Sequence, residues 1–216
     1  MKKVILITGI SSGFGRETSR LLSEKGHIVY GTVRNNPPSG SGVNCLTMDL
    51  TDDESIKHAV STVILKEGRI DVLINNAGID YKDWVRNTSL SIYRKVMEVN
   101  FFGNIAINLK VLHLMEKRGT GHIACVSSVN GVLSDKCSSA YSAAKHGLHG
   151  FYDALRAESP EGITVSMITP GYIRTNITLN SLNGRGHTFG ELSKASLKGM
   201  PPEKMAKHVV RRLDKK

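Results

Sequence analysis

Short β-branched runs alternate with helix-period segments along the whole chain. Val4–Ile7, Ile28–Val33, Val43–Met48, Val72–Ile74, His122–Val126 and Thr164–Ile168 are separated by amphipathic stretches at 14–25, 52–67, 90–117 and 140–158. That alternation predicts a parallel sheet wrapped by helices: an α/β, doubly wound, three-layer architecture whose central sheet is mostly parallel, with six or seven strands. Several helix ends are readable. Thr51-Asp52-Asp53-Glu54 matches a capping box with Thr51 at its head, and Gly26, Gly68 and Gly119 stand where left-handed helix stops are expected. Two places depart from the alternation. Residues 35–42 (Asn-Asn-Pro-Pro-Ser-Gly-Ser-Gly) read as a bare loop where a crossover helix belongs. After Pro170-Gly171 the chain is polar and glycine-dotted until Pro201-Pro202, where a last helix is expected from about 202 to 213.

With 216 residues, 40% of them apolar, the chain can bury one sizeable core and is short for two. No internal repeat or linker divides it, so residues 1–216 are read as one domain. No stretch approaches the ~20 consecutive apolar residues of a membrane span. The opening Met-Lys-Lys and Val4–Ile7 imitate a signal peptide, but the apolar run breaks at Thr8-Gly9, so it reads as a first strand. Three cysteines, Cys45, Cys125 and Cys137, fit neither a disulfide framework nor a zinc site and point to a reducing cytoplasm. The net charge of +10 is spread along the chain, and only the stretch from Lys194 to Lys216 is densely basic. With no aromatic residues interleaved to stack bases, this is read as a solvated face, and neither nucleic acid nor membrane is expected as a partner.

The first strand runs into Thr8-Gly9-Ile10-Ser11-Ser12-Gly13-Phe14-Gly15, and a helix pattern follows at once. Glycines at such a turn let the backbone approach a pyrophosphate, and the N–H groups and dipole of the helix start favour its charge. Dinucleotide folds place a carboxylate about 20 residues further on to hold the adenosine ribose. Arg34 stands there instead. A guanidinium can grip a ribose 2′-phosphate bidentately where a carboxylate would repel it, so NADP(H) is expected over NAD(H); the alternative is an exposed arginine at a strand end. Asp49 is placed either to accept from the adenine amino group or to cap the following turn.

Thr8-Gly-x-x-x-Gly13-x-Gly15, Asn75-Asn76-Ala77-Gly78, Ser128, Tyr141-Ser-Ala-Ala-Lys145 and Pro170-Gly171-Tyr-Ile-Arg-Thr175 together resemble the short-chain dehydrogenase/reductase family. They fall in that family's order from residue 4 to about 175. The resemblance implies a Rossmann-type fold and a cofactor site formed by Gly9, Ser11, Ser12, Gly13, Phe14, Gly15, Arg34, Asp49, Leu50, Asn76, Ala77, Gly78, Tyr141, Lys145, Pro170, Gly171, Ile173 and Thr175. In it Lys145 would bond the nicotinamide-ribose hydroxyls and Thr175 the carboxamide. The Asn75–Gly78 run has a second reading, in which it stabilises the end of the central strand. No metal site is expected. Family members commonly add a final strand after the last helix; here Lys216 follows that helix closely, so either six strands or a missing seventh is expected.

Tyr141 and Lys145 lie four apart where Ala144, Leu148, Phe151 and Leu155 recur at helical spacing, so they share one helix face. An ammonium near a phenol stabilises the phenolate. Lowering the phenol by two or three pKa units would ask Lys145 and an oxidised nicotinamide to supply ~3–4 kcal/mol together. Such a tyrosine can give a proton to a carbonyl oxygen as hydride reaches the carbon, or take one in reverse. By resemblance, Ser128, thirteen residues before Tyr141, hydrogen-bonds the substrate oxygen, with Ser127 beside it as the residue to be confused with it, and Asn100 links Lys145 to solvent through a water.

Among the rest, His113, His122, His146 and His149 have no metal-ligand spacing and are read as structural. Cys137 either lines the substrate cleft or is a small filler. Residues 172–200 are expected to form a lid over the carboxyl ends of the strands. Gly147 and Gly150, each costing ~1 kcal/mol in a helix, suggest that another backbone comes close, and the family's habit of packing this helix against its copy implies a homodimer or homotetramer. The expected function is NADP(H)-dependent interconversion of a small-molecule alcohol and its carbonyl, with reduction as the favoured direction. The competing readings are a cofactor-sensing regulator or interaction protein on the same scaffold, and a relative with epimerase or dehydratase chemistry.

Overall fold

The computed structural model describes residues 1–35, 42–192 and 194–213. The elements in order are β1 (Val4–Thr8), α1 (Gly13–Glu24), β2 (Ile28–Val33), β3 (Asn44–Thr47), α2 (Asp53–Glu67), β4 (Val72–Asn75), α3 (Leu90–Met97), α4 (Gly103–Arg118), β5 (Gly121–Val126), α5 (Ser139–Glu158), β6 (Ile163–Ile168), α6 (Lys194–Leu197) and α7 (Pro202–Leu213). The expected loop at 35–42 lies mostly outside the described residues.

Among the described residues the strands form one six-stranded sheet in the order β3-β2-β1-β4-β5-β6, and every pairing is parallel. The expectation of a mostly parallel sheet is thereby sharpened. Because successive strand residues point to opposite faces, two cores form. Leu6, Tyr30, Leu73 and Ile123 join Val60, Val111, Leu148 and Tyr152 on one face, under α2, α4 and α5. Ile5, Ile7, Val29 and Ile74 join Leu22, Val209 and Val210 on the other, under α1 and α7. The strand order reverses between β1 and β4, and such a switch point opens a crevice at the carboxyl ends of the strands.

Two local expectations are corrected. Asp52, rather than Thr51, caps α2, accepting from the Glu54 N–H at 3.0 Å, while Thr51 donates backward to Asp49. Both residue types cap well, and the chain turns one residue later than the motif suggests. The helix expected at 90–117 is two helices joined by a π-helical turn, Glu98–Phe102. That inserted residue turns Asn100 inward and seats Gly103 where a Cβ would fall 2.3 Å from the Leu50 carbonyl oxygen. Within this chain a Cβ at Gly147 would lie 3.0 Å from the Phe101 ring, and Gly150 faces open space. The stops at Gly26, Gly68 and Gly119 have the expected positive φ.

Candidate active site

A cleft of about 870 Å³ opens at the switch point. Every residue expected at the cofactor lines it, as do Ser128, Tyr141 and Lys145. Asn100 does not. It stands behind the wall, 1% exposed, bonding the backbone of Ile79.

The β1–α1 turn is built for close approach. Gly9 and Gly13 have φ of +74° and +59°, and a Cβ on Gly15 would fall 2.3 Å from the Asn76 side-chain nitrogen. The helix that follows is left bare at its positive end: Ser12 makes no side-chain cap and the first turn has no acid. At α2, by contrast, Asp52 caps and Asp53 and Glu54 fill the first turn. Uncapped N–H groups facing a cleft suit an anion such as a pyrophosphate. Phe14 lines the cleft while its ring belongs to the core beneath α1 and α7.

Asn76 donates to the Thr8 and Gly9 carbonyls at 2.9 Å, and the Thr8 hydroxyl accepts from the N–H groups of Asn76 and Ala77. The strand-stabilising reading of Asn75–Gly78 is therefore visible directly, alongside the lining position of Asn76, Ala77 and Gly78. Asn75 turns away into the core, where its amide nitrogen donates to Tyr152 and Asn108. Of the two readings of Asp49, turn capping is the one seen: its carboxylate accepts from the Thr51 N–H and hydroxyl, both at 2.8 Å, and these bonds hold it below the usual carboxylate range. It also lines the cleft beside exposed Arg34.

Lys145 is 5% exposed and donates to the Val126 carbonyl at 2.8 Å, with its nitrogen 5.6 Å from the centre of the Tyr141 ring. Burial lowers the ammonium from its ordinary value. Tyr141, half-buried, lines the cleft beside it. Burial and the charge of Asp80 push its phenol well up, and a hydrogen bond with Ser128 pulls only partly the other way. Ser128 heads a single 3-10 turn, accepting from Asn130 N–H at 3.1 Å, so its hydroxyl is held at the end of β5. Thr175 reaches across to Gly13, where its methyl would lie 3.1 Å from an added Cβ.

Cys137 adopts φ +60° and lines a separate recess with Trp84 and His146, not this cleft. Sequence reasoning missed Asp80, which lines the cleft and is 8% exposed. A carboxylate two residues beyond Gly78 was the available signal, but nothing in the spacing gave it a partner.

The chain matches the short chain dehydrogenase family over residues 3–185. It is 35% identical over 231 residues to dehydrogenase/reductase SDR family member 7B of Danio rerio, spanning 97% of this chain and 73% of that protein. Among solved structures it is similar to a short-chain dehydrogenase from Streptomyces avermitilis, with 31% identity, a TM-score of 0.87 and coverage of 99% of this chain and 84% of that one. It is also similar to ElxO with NADP bound, with 26% identity, a TM-score of 0.84 and coverage of 97% and 90%. Sheet, glycine turn and Tyr-Lys helix together define a Rossmann-type oxidoreductase scaffold. The chain belongs to the short-chain dehydrogenase family.

Proposed function

We propose that the protein is an NADP(H)-dependent oxidoreductase that interconverts a small-molecule carbonyl and its alcohol. The observation that carries this reading is the meeting, in one cleft, of the uncapped α1 start with Ser128, Tyr141 and Lys145. The glycine turn and the bare first turn of α1 fit a pyrophosphate, and Arg34, exposed at the end of β2, suits a ribose 2′-phosphate. The NADP-bound state of ElxO, a relative in fold and sequence, supports the same cofactor.

When bound, the nicotinamide supplies or accepts the hydride. The Ser128 hydroxyl, fixed at the β5 end, donates to the substrate oxygen and aligns it. The Tyr141 phenol gives its proton to that oxygen. A phenol carries that proton through the neutral range, which suits the reducing direction. Once the proton has left, the Lys145 ammonium faces the phenolate and stabilises it. Residues 172–200, seven of which line the cleft, serve as its lid, and the exposed face around Gly150 pairs copies of the chain as a homodimer or homotetramer in the cytoplasm.

The test is an NADPH-oxidation screen over aldehydes, ketones, quinones, steroids and retinoids, run with the native protein and Tyr141→Phe. The native protein should turn over at least one class, and the variant should lose about 10²–10⁴-fold in kcat while its NADPH affinity stays within about threefold. NADPH binding with no turnover in any class would favour a cofactor sensor. Near-native turnover by the variant would remove Tyr141 from the mechanism.

A further inference from the structure

Two serines follow β5, and the proposed reaction uses only the second. Ser128 hydrogen-bonds Tyr141 and accepts from the Asn130 N–H. Ser127 lines the same cleft and is 3% exposed, and its buried hydroxyl has no hydrogen-bond partner among the described residues. On α5, eight residues past Tyr141, the Nε2 of half-buried His149 is likewise buried and unpartnered among the described residues. A buried donor or acceptor left unpaired is costly and uncommon in a native fold. Two of them meeting at one place call for a partner that can bond both.

Gly131 marks the meeting place. A Cβ there would lie 2.7 Å from the Ser127 hydroxyl oxygen and 2.8 Å from His149 Nε2, so both polar atoms border the notch that a side chain would fill. The backbone around it is already fixed. Ser127 N–H donates to Ile168 at 2.8 Å, Val129 N–H to Pro170 at 2.9 Å and Gly131 N–H to Ser128 at 2.8 Å, and none of these bonds uses the Ser127 hydroxyl. Ser128 stands at the head of the 3-10 turn Val129–Gly131 and the glycine notch at its tail. A methyl carbon bonded to Gly131 would be too close to both polar atoms. A water molecule, standing off the Cα at van der Waals distance, can donate to one and accept from the other, and a polar site with two or more such partners is where buried water is found.

We propose that Ser127 and His149 hold one buried water in the Gly131 notch, and that this bridge ties the turn carrying Ser128 to α5, which makes both of them positioning residues for the reaction. The positioning role rests on Ser128 donating to the substrate oxygen; the water site does not. Tyr141, Lys145 and His149 follow one another at four-residue intervals and share a face of α5. The helix therefore holds adjacent serines at two points, Ser128 through Tyr141 and Ser127 through the water, and the Ser128 hydroxyl keeps its aim because the turn cannot pivot about either contact alone.

Three measurements test it on the full-length protein. In a crystal structure of the native protein, a water should stand within about 3.2 Å of both atoms, and Gly131→Ala should expel it; no water there, or Ser127 bonded directly to His149, overturns the site. The imidazole nitrogen NMR spectrum needs neither substrate nor cofactor: Ser127→Ala and Gly131→Ala should each move the His149 nitrogens, and unmoved signals in both variants overturn the bridge. With a substrate found in the NADPH screen, Ser127→Ala and His149→Phe should each lower kcat about tenfold and leave NADPH affinity unchanged. Because each removes the same bridge, the double variant should also lose about tenfold, where independent roles would multiply to about a hundredfold. His149→Gln, whose amide can still bond the water, should recover most of the loss. Multiplied losses, or native kcat in either single variant, overturn the positioning role. Absence of turnover by the native protein in every class counts against the reductase reading, and the water site is decided separately by the native crystal and the spectrum.

Discussion

The Asn100 carboxamide closes a two-bond ring on the backbone of Ile79, accepting from its N–H and donating to its carbonyl, each at 2.8 Å. The bond pair crosses from the π-helical turn to the loop after β4, and it fixes the path by which the chain reaches Asp80. Replacing Asn100 with Ala strands two backbone groups in a site from which water is excluded, at a net cost of about 2 kcal/mol. The expected result is a Tm about 4–8 °C lower in thermal denaturation, with a larger fractional loss of turnover than of folded protein at assay temperature.

Arg34 is the residue on which cofactor preference turns. Losing a bidentate contact to a phosphate costs about 1.5–3 kcal/mol. Arg34→Asp should lower the ratio of NADPH to NADH affinity by about ten- to a hundredfold, read by fluorescence titration of both cofactors. An unchanged ratio would detach Arg34 from the 2′-phosphate.

Tyr152 sits fully buried among three asparagines, donating to Asn104 at 2.6 Å and accepting from Asn75 at 2.9 Å and Asn108 at 2.5 Å. Tyr152→Phe removes one hydroxyl and leaves three amides short of a partner, so its cost should reach about 3 kcal/mol in urea unfolding, well above an ordinary single bond. A cost below about 1 kcal/mol would mean that the asparagines re-pair among themselves.

Tyr30 gives a signature at alkaline pH. Its hydroxyl donates to Glu67 at 2.7 Å, and burial followed by that carboxylate pushes the phenol from the ordinary 10.0 up to about 12. A raised phenol binds its proton more tightly folded than unfolded, so its contribution is complete below pH 10 and is lost as pH climbs through 12. Chemical denaturation should show native stability falling more steeply across that window than in Tyr30→Phe; parallel curves would show that Tyr30 titrates alike in both states.

Much of this was legible in the sequence because burial on both faces writes itself into runs such as Val4–Thr8 and Ile28–Val33, which are almost wholly buried. The Tyr141–Lys145 face was legible because helical spacing is local. Asp80 was not, since its partner Ser181 is 101 positions away and a single aspartate after Gly78 has no periodicity to betray it. The one-residue displacement of the α2 cap and the π-helical insertion at Asn100 are both choices between local geometries of similar energy, decided by contacts such as Gly103 against Leu50.

The face of the sheet that carries Ile5 and Ile7 is closed by Val209, Val210 and Leu213, from the last described helix. During synthesis β1 is therefore made long before the helix that completes its cover, with only Phe14 and Leu22 of α1 at hand in the meantime. Throughout that interval the half-made protein displays a half-covered aliphatic wall, and its yield in a cell depends on whatever shields that wall until α7 arrives.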